Sequence, residues 1–277
     1  MRKSNFCLNR IILPDLNLEE FLKLTSELGL NKVELRNDLP DAGIIDMYSP
    51  EQVKELTTQY GIRILSINAL QRFNLGKALP DALEELRKLI DVSVSIDCEA
   101  IVLVPNNDVN DKRSEDVIFD ETVSALKAFG SMFEDSGIQG YVEPLGFQEC
   151  SLRSKIIAMR AIQESGCNRL KIVHDTFHHY LGPDTSDIFE TDYDISYTGL
   201  VHISGVESDV RTHQYKDDHR ILISPNDKIE NSEQIKLLTE LGYDGAISFE
   251  PFAKEIQTMG IDALRTAVDE SIRLILS

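Results

Sequence analysis

No Cys-x-x-C pair occurs in this sequence. Cys7, Cys98, Cys150 and Cys167 stand far apart, which argues against a zinc knuckle or a dithiol centre and leaves buried, idle thiols in a reducing compartment. Basic charge is scarce as well. The chain has 28 Lys and Arg against 47 Asp and Glu, a net charge of −19, and no basic run offers a path for a phosphate backbone, so nucleic acid and anionic membrane are poor partners. Nowhere is there an apolar run of about 18 residues, the length that a spanning helix needs. The opening Met1-Arg2-Lys3-Ser4-Asn5-Phe6 also lacks the apolar stretch of a secretion signal, so the expectation is a cytoplasmic protein without membrane contact. G-x-S-x-G, P-loop and G-x-G-x-x-G motifs are missing too, leaving a serine hydrolase, a P-loop nucleotide enzyme or a Rossmann dehydrogenase without support.

What is present is an ordinary globular composition, 42% hydrophobic and 27% charged over 277 residues. That length is close to the roughly 250 residues of a (β/α)8 barrel. Short apolar runs alternate with amphipathic segments eight times. Residues 6–9, 32–36, 62–68, 100–104, 139–143, 170–175, 199–202 and 246–250 read as strands. Between them the helix signals are local and specific. Asn17 with Glu20, and Ser49-Pro50-Glu51-Gln52, are capping boxes; Gly29 and Gly61 are stop signals; Ser114 opens a helix to about residue 136. Helices are also expected over 79–96, 154–165 and 262–276. Asn231 with Gln234 reads as a further capping box, opening a helix over 231–241. With no break in composition, the expectation is an α/β fold, one (β/α)8 TIM barrel domain over 1–277. The acidic segment containing Asp184, Asp187, Glu190, Asp192 and Asp194 lacks the spacing of a calcium loop and reads as surface.

Four of the strands end in residues that can bind a metal: Glu143, Asp175, His202 and Glu250. The C-terminal strand ends are where a (β/α)8 barrel keeps its active site. Two Glu, one Asp and one His form a mixed oxygen and nitrogen set that suits one divalent ion, Mn²⁺, Co²⁺, Zn²⁺ or Mg²⁺. Either glutamate alone, in Glu143-Pro144 or Glu250-Pro251, could simply cap a loop; their joint occurrence at successive strand ends is what points to a site. With a metal to polarise a ketone oxygen, the two glutamates could take and return protons at adjacent carbons. His178, three residues past Asp175, could hydrogen-bond a substrate oxygen, and Glu34 and Arg36, on one face of the second strand, could bind hydroxyls. The loop 204–229, with Arg211, His213, His219 and Arg220, is long enough to be functional or a mobile lid.

These residues resemble the xylose-isomerase-like barrels, which include sugar isomerases, epimerases and endonuclease IV. The likeness runs along nearly the whole chain. It is carried by Val33-Glu34-Leu35-Arg36, Leu65-Ser66-Ile67-Asn68-Ala69-Leu70, Val104-Pro105, Val142-Glu143-Pro144, Asp175-Thr176-Phe177-His178, Val201-His202-Ile203 and Ser248-Phe249-Glu250. Within the family, Asn68-Ala69-Leu70 and Phe73-Asn74 are similar to the inosose (2-keto-myo-inositol) isomerases of inositol catabolism. The resemblance implies a divalent metal on Glu143, Asp175, His202 and Glu250, with Glu143 and Glu250 as the acid/base pair. His178, Arg220 and Asn68 would meet the substrate, a small polyhydroxylated ketone. Relatives range from monomer to tetramer, so a homo-oligomer is open.

Two departures bear on the substrate. Relatives carry an acidic residue soon after the seventh-strand His, where this chain has Ser204-Gly205, and a Pro-Gly-x-Gly turn after the Arg, where it has Ser224-Pro225-Asn226-Asp227. A ketose 3-epimerase or a hydroxypyruvate isomerase, with the same metal and another pocket, therefore stays open beside inosose isomerisation. A non-catalytic sugar-binding barrel has no need of two glutamates. A nuclease of the endonuclease IV kind needs further histidines where this chain has Asn68 and Pro105.

Overall fold

The computed structural model describes residues 1–40 and 42–277, and of Glu190, one of the acidic residues read as surface, the backbone only. Eight strands, β1 (Phe6–Asn9), β2 (Lys32–Arg36), β3 (Arg63–Leu70), β4 (Ala100–Leu103), β5 (Gln139–Val142), β6 (Leu170–Asp175), β7 (Thr198–Ile203) and β8 (Ala246–Phe249), close in chain order into a parallel barrel. Strands β1 and β4 are buried along their whole length, as expected of parallel strands covered by helices. The chain forms two compact units, 1–65 with 200–277 and 66–199.

In the first unit, Leu8 pairs with Val33 and Phe249, Asn9 with Glu34, and Ser248 with both Cys7 and His202. This register brings the polar side chains of four strands to neighbouring positions. The helix Leu18–Glu27 buries Phe21, Leu22 and Leu24, and its Asn17–Glu20 capping box is formed. Ser49, Gln52 and Pro50 likewise open Pro50–Tyr60, which stops at Gly61 in the left-handed region. One cap differs from expectation. Asn231 is the first helical residue of Asn231–Glu240 and does not cap it. Its buried Nδ2 donates instead to the Ser204 carbonyl and to Asp227 Oδ2, each at 2.9 Å, while Gln234 Nε2 donates to the Ile229 carbonyl. Asp227 Oδ2 also accepts the Asn231 backbone N–H at 3.1 Å, so the helix start is met by a loop carboxylate four residues upstream.

The second unit packs Leu86 and Leu89 of Leu79–Ser95 and Leu126, Phe129 and Phe133 of Glu115–Ser136. Strand β3 runs to Leu70, two residues past the expected end at Asn68. Asn74 then ties three segments together: its Oδ1 accepts from the Asn106 backbone, and its Nδ2 donates to Thr122 Oγ1 and Ser151 Oγ. Arg113 adds bonds to the Asn74 carbonyl and to Asp111 and Glu121. The loops after β3, β4 and β5 are thus pinned within this unit. All four cysteines are buried and free, and burial pushes the Cys98 thiol up to about 12. Among the described residues, no helix is long and apolar enough to cross a membrane.

Candidate metal centre

Glu143 directly follows β5 and still extends its ladder, its N–H donating to the Leu103 carbonyl. Asp175 closes β6, His202 is the penultimate residue of β7, and Glu250 directly follows β8. All four are buried, and each offers one ligand atom such that these atoms lie within 4.8 Å of one another. Three carboxylates and an imidazole in a water-poor setting carry too much negative charge to be stable without cations or protons. The donor types and their spacing fit a divalent ion.

Around Glu250 the compensation is visible. Its Oε1 accepts from Arg36 Nη1 at 2.9 Å and Asn9 Nδ2 at 3.2 Å; its Oε2 accepts from Arg220 Nη2 at 3.0 Å and faces His202 Nδ1 at 3.2 Å. Burial by itself raises the Glu250 carboxyl, but the charges of His202, Arg220 and Arg36 outweigh it and hold it well below the ordinary carboxylate range. Both arginines lie against one ring: Phe252 is 5.2 Å from the Arg36 guanidinium and 4.8 Å from that of Arg220. Arg36 also makes a two-pronged bond to Asp38, and Arg220 Nε donates to Ser204 Oγ.

The loop 204–229 is held by several bonds. Gly205 and Ile221 exchange backbone hydrogen bonds, and the Ala253 N–H donates to the Arg220 carbonyl. A Cβ at Gly205 would stand 2.8 Å from the Leu222 carbonyl oxygen, so the close backbone crossing here requires a residue without a side chain. This crossing brings Arg220 inward, whereas Arg211 and His213 remain exposed.

Around Glu143 and Asp175 the solution is different. Asp175 Oδ1 accepts from the His178 N–H and caps the helix Thr176–Leu181. His178 is buried, its ring edge-on to Phe147 and Phe177 at 5.0 and 5.3 Å. Its Nδ1 has no hydrogen-bond partner among the described residues. Gly146 lies so close to the His178 carbonyl that a Cβ there would overlap it, and Arg153 bonds the carbonyls of Gly146 and Leu181. Lys155, 2% exposed, is pushed down to about 8 by burial, against the opposing pull of Asp184, Asp175 and Glu143. Asn68, 2% exposed, donates to Ser66 Oγ.

Glu34 and Arg36, expected to share a face, do meet in the Glu250 network: Glu34 Oε2 is 3.1 Å from His202 Nε2. Asn9, Phe252, Lys155 and Gly146 were not singled out from sequence. A polar Asn ending a buried strand is a signal that could have found Asn9; the other three draw their meaning from neighbours distant in the chain.

The chain matches the xylose isomerase-like TIM barrel family over residues 22–277. It is similar to an inosose isomerase of Halalkalibacterium halodurans, 24% identical over 269 residues, covering 95% of this chain and 93% of the relative. Among solved structures, a xylose isomerase domain containing protein from Salmonella typhimurium LT2 superposes with a TM-score of 0.93 at 36% identity, covering 100% and 99% of the two chains. The IolI protein, solved with a zinc atom, superposes with a TM-score of 0.88 at 20% identity, covering 99% and 98%.

Proposed function

This chain belongs to the xylose isomerase-like TIM barrel family, and from that premise we propose that it is a divalent-metal-dependent isomerase. It would interchange a ketone with the adjacent hydroxyl of a polyhydroxylated ketone, with an inosose as substrate. The observation that carries this reading is the buried Glu143, Asp175, His202 and Glu250 quartet with converging ligand atoms. The names of the inosose isomerase relatives support the substrate. The zinc of the IolI protein supports Zn²⁺ beside Mn²⁺, Co²⁺ and Mg²⁺.

Those four residues would hold the metal, which when bound supplies Lewis-acid polarisation of the ketone oxygen. Glu143 and Glu250 carry the proton work. One takes the proton from the hydroxyl-bearing carbon to give an enediolate. The other delivers a proton to the former carbonyl carbon, and with the hydroxyl proton passed between the two oxygens the ketone has moved by one position. His178, with its buried Nδ1 lacking a bond, is suited to a substrate oxygen. Asn68, Arg36 and Arg220 complete the polar groups proposed to receive hydroxyls.

The test is turnover of metal-reconstituted protein on scyllo-inosose, followed by NMR in D₂O, with a ketohexose panel alongside. Conversion to 1-keto-chiro-inositol with deuterium at the ring carbon is expected. C3 epimerisation of a ketose without action on inosose would move the activity to the epimerases. Absence of solvent exchange on every substrate would favour a binding protein.

A further inference from the structure

Glu34 is a carboxylate in the middle of a buried strand, between Val33 and Leu35, and none of it is exposed. An ionised carboxylate there costs several kcal/mol unless bonded, and its oxygens face His202 Nε2 and Asn9 Nδ2. We infer that Glu34 is a positioning residue that fixes the ring of His202 for metal binding. The inference rests on the reading of His202 as a ligand.

The geometry is specific to the two ring nitrogens. His202 Nδ1 faces Glu250 Oε2 at 3.2 Å, and Glu250 belongs to the ligand quartet. His202 Nε2 faces Glu34 Oε2 at 3.1 Å, and Glu34 does not. Nδ1 is therefore the donor atom turned toward the quartet, and the ring proton belongs on Nε2, where Glu34 accepts it. Asn9 Nδ2 donates to Oε1 of both Glu34 and Glu250, at 3.4 and 3.2 Å, and so fixes the Glu34 carboxylate plane. The Asn9 to Glu34 pairing of β1 and β2 sets this arrangement. In the barrel order, the Glu34 to His202 contact reaches past β1 and β8, so it belongs to the interior and not to one ladder. A carboxylate behind a ligating imidazole fixes its tautomer and orientation and raises its basicity.

The test uses Zn²⁺ and Co²⁺ themselves. Affinity is measured by chelator competition on the full chain and on Glu34→Gln, which keeps volume and removes charge. A loss of about 10- to 100-fold is expected, with a changed visible spectrum of the Co²⁺ form. Independently of Glu34→Gln, ¹⁵N–¹H NMR of the zinc-loaded wild type, with the ring assigned through His202→Asn, should show the proton on Nε2 and zinc on Nδ1. An Nδ1–H tautomer, or wild-type affinity in Glu34→Gln with an unaltered Co²⁺ spectrum, overturns the positioning role alone. A wild type that binds neither metal overturns it together with the metal reading. Inactivity on inosose with weakened metal in Glu34→Gln leaves it standing while the substrate reading falls.

Discussion

The surroundings of Glu250 and those of Asp175 solve the same problem, buried polar groups at a strand end, in opposite ways. Around Glu250, charges are kept and paired: two guanidiniums, an amide and an imidazole face its two oxygens. Around Asp175, burial lowers the pKa of the basic side chains. His179 is pushed down to about 2 by burial and Lys155 to about 8, while His178 is held by aromatic edges and a backbone bond. Pairing keeps a charge available for electrostatic work. Desolvation makes a charge costly to keep.

The largest expected effect comes from breaking the paired side. Glu250→Gln removes a proposed base and ligand and the carboxylate that Arg36 and Arg220 share. Inosose turnover should fall by about 10³-fold or more, with about 3–5 kcal/mol lost in denaturant unfolding; an active variant would end the assigned role. Next is the metal that both sides are proposed to share. Chelator treatment should abolish turnover reversibly and lower unfolding free energy by about 2.7 kcal/mol relative to protein with free metal at 100 times Kd, and an unchanged unfolding midpoint would contradict a bound ion.

The desolvated side is tested by Lys155→Met. The folded lysine has its pKa depressed to about 8 from the ordinary 10.5. The unfolded chain therefore holds more protons between those values, and stability of the wild type rises with pH across that window. At pH 7 nearly all of the penalty is present, so the variant should be more stable there by about 3 kcal/mol, a gain that shrinks as pH approaches 10.5. Urea unfolding at the two pH values measures it, and a pH-independent difference would contradict the cause. The smallest effect is Phe252→Leu, which removes the ring under Arg36 and Arg220 and should cost about 1 kcal/mol with a modest rise in KM.

Features that depend on a few adjacent residues were legible directly. The caps at Asn17, Ser49 and Ser114, and the stop at Gly61, formed as read, because a cap is settled within one helical turn. The same logic failed at Asn231, where Ser204 and Asp227, distant in sequence, offered its side chain better partners. Strand ends were readable to within two residues, since an apolar run shows where a strand is buried but not where its last ladder bond lies.

The order of eight strands and helices, and a ligand-type residue at each of four strand ends, were determined by the sequence itself, because burial periodicity and capping are local properties written every few residues. The neighbours of those residues were decided only by the tertiary structure. Asn9 beside Glu34 is a matter of register, and Glu34 behind His202 is a matter of barrel closure. Lys155 near Glu143 and Asp175 is a matter of where a helix begins above its sheet. Electrostatics acts through space and not along the chain, so the charge state of each group waits on the fold that surrounds it.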